Sequence, residues 1–308
     1  MAEPLIECVP NFSEGRRQEV IEAITAEIAA VMGVHVLDVA SDGDHNRSVI
    51  TFVGPPDGVV EAAFRAAARA VATIDLEQHR GAHPRIGAVD VIPFIPLRGA
   101  TLEDCAGLAR RLGQRIGDEL QIPVYLYEAA ATRPERTNLA DVRRGEYEGL
   151  KRSLGTDPAR DPDYGPARLG PAGATAVGAR APLIAYNIYL NTGDLAVAKQ
   201  VARAIRFSNG GLRYCKALGL LVDGRAQVSI NMTDFRSTPL HRAFELVRVE
   251  AARYGSVPAE SEIVGLVPQD ALLDAAEHYL RLNRFKRDQT LESRIAAVEA
   301  VDKGGGAV

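Results

Sequence analysis

Apolar positions along the first half of the chain alternate between a spacing of two and a spacing of three to four, the marks of strands and helices in turn. Leu5 to Val9 is a short apolar run of strand length, and Arg16 to Met32 places Val20, Ile21, Ile24, Ile28 and Val31 on one helical stripe. Strands are predicted over Val34 to Val39 and Ser48 to Val53, joined by the polar turn Ser41-Asp42-Gly43-Asp44-His45-Asn46. Pro55-Pro56 opens an alanine-rich helix from Asp57 to Ile74, and Val89 to Ile95 is again strand-like. The order β-α-β-β-α-β is then extended by a helix from Thr101 to Leu120 and a strand from Val124 to Tyr127. Thr101 and Asp104 have the spacing of a capping box at that helix start.

The same order returns after residue 180. Leu183 to Leu190 predicts a strand, Leu195 to Phe207 a helix, and Tyr214 to Val222 with Gln227 to Met232 a hairpin turning at Asp223-Gly224. A helix follows from Pro239 to Arg253 with Thr238 as N-cap, then a strand from Ile263 to Val267 and a helix from Ala271 to Leu282. The fold class is therefore α/β in the α+β sense: two split-βαβ, ferredoxin-like subdomains, residues 1–180 and 181–308, each a sheet with helices on one face. Between them Asp157 to Thr175 is the least regular stretch, rich in Pro and Gly, and reads as a linker or a functional loop. Lys303 to Gly306 reads as a frayed tail.

Composition narrows the class without naming a chemistry. A hydrophobic content of 46% in 308 residues suffices for a full core, and no apolar run approaches the ~20 residues of a membrane span. Cys8, Cys105 and Cys215, odd in number and far apart, make neither a disulfide framework nor a zinc knuckle, which points to the cytoplasm. No secretory signal opens the chain. A net charge of −4 without a basic block argues against nucleic acid as a partner. Only five of the 36 basic residues are lysine, which reflects either a GC-rich genome or selection for forked anion binding.

The six histidines are the informative reactive groups. His35 lies in an apolar strand, and His241 and His278 lie on predicted helices, where packing or surface roles suffice. His79 and His83 have the spacing of a helical metal pair, but Gly81 between them and Pro84 after them oppose a continuous helix, so no metal site is expected. His83, extended by Pro84 on a loop that enters the next strand, is instead a candidate general base. Arg80 and Arg85 beside it would disfavour the imidazolium. No nucleophile elbow, Walker loop or dinucleotide fingerprint is present.

Several motifs together resemble the glutamate formiminotransferase family. They are Val9-Pro10-Asn11-Phe12-Ser13-Glu14-Gly15, Asn46-Arg47 with Thr51-Phe52-Val53-Gly54, His83-Pro84-Arg85-Ile86-Gly87-Ala88-Val89-Asp90, Gly145-Glu146-Tyr147-Glu148, and Gly173 to Arg180. The likeness runs from about residue 4 to 283. The resemblance implies two subdomains whose sheets face each other across a substrate cavity, a homodimer, and transfer of a formimino group from N-formimino-L-glutamate to N5 of tetrahydrofolate in histidine degradation. It implies His83 as the catalytic histidine and Gly165, Pro166, Ala167, Arg168, Leu169, Gly170, Pro171, Ala172 and Gly173 as the folate loop. Tetrahydrofolate would be a co-substrate, with no permanently bound cofactor. The chain is too short for the cyclodeaminase domain of the vertebrate members, leaving deamination to a separate enzyme. An acidic residue of those members aligns with Ala40, which leaves the partner of His83 open between Asp42, Asp44 and others.

On that basis His83 takes the N5 proton and returns one to the departing glutamate nitrogen. Arg47, Arg80 and Arg85, with Asn46 and Asn11, are candidates to hold substrate carboxylates, against the alternative of ordinary salt bridges. Formyl transfer from N-formylglutamate and a non-catalytic folate-binding module are the competing functions.

Overall fold

The computed structural model describes residues 3–81 and 83–304. Contacts divide the chain into two compact units, Met1–Ala181 and Pro182–Val308.

The first unit runs β1 (Leu5–Cys8), β2 (Asn11–Phe12), α1 (Gln18–Ala29), β3 (His35–Asp42), β4 (Arg47–Gly54), α2 (Pro56–Thr73), β5 (Val89–Arg98), α3 (Leu102–Arg115), β6 (Val124–Glu128), α4 (Leu139–Val142), α5 (Glu146–Ser153) and β7 (Thr175–Ala179). β1 and β2 are two pieces of one central strand, interrupted at Pro10, which has no N–H to give to the ladder. Both pieces pair antiparallel with β4 on one side and β5 on the other, and β3 flanks β4. This is the strand order of a split βαβ unit. To it the chain adds β7, parallel to β5, and β6, parallel to β7.

β7 was not predicted: it starts at Thr175, where the irregular stretch ends, and runs through residues assigned to no element. Its five residues are all buried, so both faces are covered and no polar alternation marks it as a strand. One face of the sheet carries α1, α2 and α3 around Ile24, Phe52, Phe94 and Leu112. The other is closed at its parallel end by a smaller core of Ile86, Tyr125, Tyr127, Val142 and Leu150.

Helix starts follow the sequence signals. Pro55 caps α2 with Pro56 in its first turn. Thr101 and Asp104 form a reciprocal capping box at α3: the Asp104 N–H donates to Thr101 Oγ1 at 3.1 Å, and the Thr101 N–H to Asp104 Oδ2 at 2.8 Å. Thr101→Ala should lower stability by about 1 kcal/mol. Thermal melts would show it, and Thr101→Ser should restore the native value.

The second unit runs β8 (Ile184–Leu190), α6 (Leu195–Ile205), β9 (Cys215–Val222), β10 (Arg225–Met232), α7 (Leu240–Ala252), β11 (Pro258–Val264), α8 (Gln269–Leu280) and α9 (Leu291–Gly304). Its antiparallel sheet has the order β11-β8-β10-β9, again the split βαβ order. Asp223 and Gly224 both take positive φ, +49° and +73°, as the two-residue turn between β9 and β10 requires.

Three local expectations are corrected. Thr238 does not cap α7: Pro239 holds that position, while Thr238 Oγ1 donates to the Arg213 carbonyl at 2.6 Å. β11 begins at Pro258, ahead of the expected Ile263, because an edge strand pairs through its backbone and tolerates outward Glu260 and Glu262. Lys303 and Gly304 belong to α9, a helix with no strong apolar stripe to announce it, and Gly305 and Gly306 lie outside the described residues.

Candidate active site

The turn before β4 and the segment before β5 are stitched together by Asn46, which is buried with φ +48°. Its Oδ1 accepts from the Gly15 N–H at 3.0 Å, its Nδ2 donates to the Arg80 carbonyl at 3.0 Å, and its own carbonyl accepts from His79 Nε2 at 2.9 Å. Gly81 is required by this closeness, since a Cβ there would stand 2.2 Å from the His45 carbonyl oxygen. The strand break at Pro10 joins the same cluster. Ser13 Oγ donates to the Gly87 carbonyl at 2.7 Å, and the Ser13 N–H to the Ala88 carbonyl at 2.9 Å. Asn11 is buried close by, but its amide donates to the Val9 carbonyl at 2.8 Å and so braces the break itself.

His79 has both ring nitrogens engaged. Nε2–H donates to Asn46, and Nδ1 accepts from Arg85 Nε at 3.3 Å. Burial, ahead of the nearby charges, lowers its pKa. Arg85 is itself buried and gripped by two carboxylates: Nη1 and Nη2 donate to Glu148 at 2.8 and 2.6 Å, and Nη1 also to Glu146 at 3.0 Å. Its fork is therefore occupied within the unit, which removes it as a donor for substrate. Arg80 lies at the surface with Nη1 bonded to the carbonyls of Glu77 and His79, at 3.0 and 2.7 Å.

His83 stands apart from these. Its Nδ1 lies 2.7 Å from the Pro84 carbonyl, which can only accept, so Nδ1 carries the hydrogen. Nε2 faces the Arg47 guanidinium, which can only donate, so Nε2 presents a lone pair. Burial first, then the positive charges of Arg47 and Arg143, push the His83 pKa down to about 3, with Asp90 pulling the other way. The expectation that Arg80 and Arg85 would keep the ring neutral is thus corrected in its agents. Arg85 is already neutralised by its glutamates, and the arginines that act are Arg47 and Arg143.

Asp90, quoted in a sequence motif but given no role there, and Arg143, which no sequence signal singled out, complete the surroundings of the ring. Asp90 is 2% exposed; its Oδ1 accepts from the Ile86 N–H at 2.8 Å and its Oδ2 from Arg143. The signal was available, since a lone carboxylate in the all-buried run Val89 to Ile95 needs a partner. Burial, then Arg143, lowers the Arg47 pKa to about 10. The Nε atoms of Arg47 and Arg143 are both buried and without a hydrogen-bond partner. Two guanidinium groups and one carboxylate leave the cluster with surplus positive charge beside a tight crevice, too narrow as it stands for a water molecule, lined by Ser13, His45, Arg47, His83 and Asp90 among others.

The Gly165 to Gly173 segment reaches this cluster with one end only. Pro171 and Ala172 accept from the N–H groups of Leu76 and Ala88, at 2.7 and 2.8 Å, and Gly173 bridges to Gly87. Gly165 packs instead against Gly117 and Ile122, while Ala167, Arg168 and Gly170 are exposed, and Pro166 and Leu169 half-buried. A roomier hollow, about 450 Å³, lies in the second unit between Tyr186, His241, Phe244 and Tyr279, and holds none of the expected site residues.

Known proteins give the cluster a context. Residues 5–180 match the N-terminal subdomain of the formiminotransferase domain, and residues 185–301 the formiminotransferase domain. A glutamate formimidoyltransferase of Thermoplasma acidophilum is 50% identical over 295 residues, which cover 94% of this chain and 97% of that protein. One from Streptococcus pyogenes is 46% identical, covering 94% and 98%. The formimidoyltransferase-cyclodeaminase of Mus musculus is 45% identical over 284 residues, 89% of this chain and 52% of that longer protein. With both halves matched in order and nearly its full length shared with the first two relatives, the chain belongs to the formiminotransferase family.

Proposed function

We propose that the chain transfers the formimino group of N-formimino-L-glutamate to N5 of tetrahydrofolate, a step of histidine degradation, with His83 as the proton acceptor. The observation that carries this is the state of the His83 ring, neutral with its Nε2 lone pair turned to a guanidinium beside a cationic crevice. N5 attacks the amidine carbon and must lose its proton, which Nε2 can receive. A donor carboxylate entering the crevice would meet the guanidinium of Arg47, whose Nε has no hydrogen-bond partner. A carboxylate that takes Arg47 also frees the lone pair and cancels the charge that weakens the base, so donor binding strengthens His83 toward the pKa a general base needs.

Most of the acceleration would come from holding two substrates in register, where effective molarities reach ~10⁵ M or more. An acceptor held on the Gly165 to Gly173 loop would lie near the base, because Pro171 and Ala172 are bonded to the chain on either side of His83. The three cysteines are free and buried, which supports a reducing, cytoplasmic setting. Among the described residues no helix is long and apolar enough to cross a membrane.

The deciding assay gives purified protein tetrahydrofolate with formiminoglutamate, and with N-formylglutamate in parallel. The expected product is 5-formiminotetrahydrofolate from the first donor; turnover with neither defeats the proposal. Arg47→Met should raise KM for the donor by about 10- to 100-fold, the loss expected for one charged hydrogen bond of about 1.5–3 kcal/mol. An unchanged KM would remove Arg47 from donor binding.

A further inference from the structure

The polar turn between β3 and β4 brings a second imidazole to the same crevice. The His45 ring stands edge-on to that of His83, with centroids 6.3 Å apart and planes at 63°. Asp42 holds it. One carboxylate oxygen accepts from His45 Nδ1 at 2.8 Å, and the other accepts from the backbone N–H groups of Asp44 and His45, each at 2.8 Å. Partial burial would raise the Asp42 carboxyl, but donation by the His45 backbone and ring, and by Asp44, carries it below its ordinary value. Asp42 is therefore an acceptor and His45 Nδ1 carries the hydrogen, which leaves Nε2 as the ring's open position. About half of the His45 side chain is exposed, so it has access both to the crevice and to solvent protons.

We propose that His45, backed by Asp42, is a second catalytic residue: it protonates the departing glutamate nitrogen while His83 removes the proton from N5. The inference rests on the formimino transfer proposed above and assigns its second proton. In the first step the N5–C bond forms and the N5 proton passes to His83 Nε2. In the second, His45 Nε2 gives a proton to the glutamate nitrogen, the C–N bond breaks, and glutamate leaves as an amine. His83 then releases a proton to solvent and His45 takes one up, so the pair is reset without a co-reactant.

The division follows the local charges. His83 sits against two guanidinium groups, which oppose storage of a proton through the tetrahedral intermediate, and its pKa of about 3 agrees with that. His45 has a carboxylate on its far nitrogen, an arrangement that fixes the ring's orientation, and its half-exposed side chain can exchange protons with solvent through Nε2.

The test compares His45→Ala, His45→Gln, Asp42→Asn and His83→Ala under saturating substrates. Both His45 variants should lose about 10²-fold in kcat, with donor KM moved by no more than a few-fold. Imidazole added to His45→Ala should restore part of the lost rate, and Asp42→Asn should lower kcat by at least tenfold. Thermal melts identify a variant that has merely unfolded, and His45→Gln then supplies the reading. Wild-type kcat in His45→Gln alongside an impaired His83→Ala overturns the second-acid role and leaves the base intact. So does a loss that imidazole does not rescue. Full activity in His83→Ala instead defeats the reaction scheme on which the inference rests.

Discussion

Replacing His83 with alanine should lower kcat by about 10²–10⁴-fold while tetrahydrofolate affinity stays within a few-fold. The ring has one nitrogen bonded to its own chain at Pro84 and the other turned to Arg47, so removing it deletes a proton acceptor and a single contact between elements, the one to Arg47 at the start of β4. Binding of folate measured by fluorescence quenching, beside steady-state kcat, separates the two effects. A kcat within a factor of a few of the parent would end the assignment of His83 as the base. His83→Gln, which keeps a polar group but no titrating nitrogen, should be as impaired as the alanine variant.

The second large effect concerns stability. Asp90→Ala should destabilise the first unit by about 3–5 kcal/mol, the penalty for leaving one partner of a buried ion pair uncompensated. Asp90 is almost fully enclosed, and its loss strands the Ile86 N–H as well as the Arg143 guanidinium. At roughly 2–4 °C per kcal/mol for a unit of this size, the shift is large in a thermal melt. The double variant Asp90→Ala with Arg143→Met should recover part of it, because the stranded charge is gone. A single variant that melts with the parent would show that Asp90 is not the counter-charge of this cluster.

Much of the frame was legible because its signals are local. The helix stripe from Val20 to Ile28, the proline entry to α2, the Thr101–Asp104 box and the Asp223-Gly224 turn each need only a few adjacent residues, and each formed. β7 was hidden because a parallel strand covered on both faces has no alternation, and its small residues Ala176, Gly178 and Ala179 give no β-branched or aromatic signal. β11 was misplaced because backbone pairing at an edge leaves its side chains free to be polar.

The site divided along similar lines. His83 could be singled out because Gly81 and Pro84 exclude the helical alternative nearby. Which arginines surround it could not be, because Arg47 and Arg143 are 36 and 60 positions away, and only tertiary pairing decides that Arg85 faces Glu146 and Glu148 instead. Asn46, expected from the sequence to hold substrate, serves the cluster as a knot between three backbone segments.

The positive charges that act on the His83 ring are guanidinium groups, Arg47 and Arg143, and burial, the largest cause, brings the Arg47 pKa down only to about 10. The electrical bias on that imidazole is accordingly a constant of the fold over the whole range of acidity found in living cells. A lysine in either place could be switched off by deeper burial, whereas a guanidinium holds its charge there. Burial and this fixed charge together hold the ring neutral, with its Nε2 lone pair turned to Arg47.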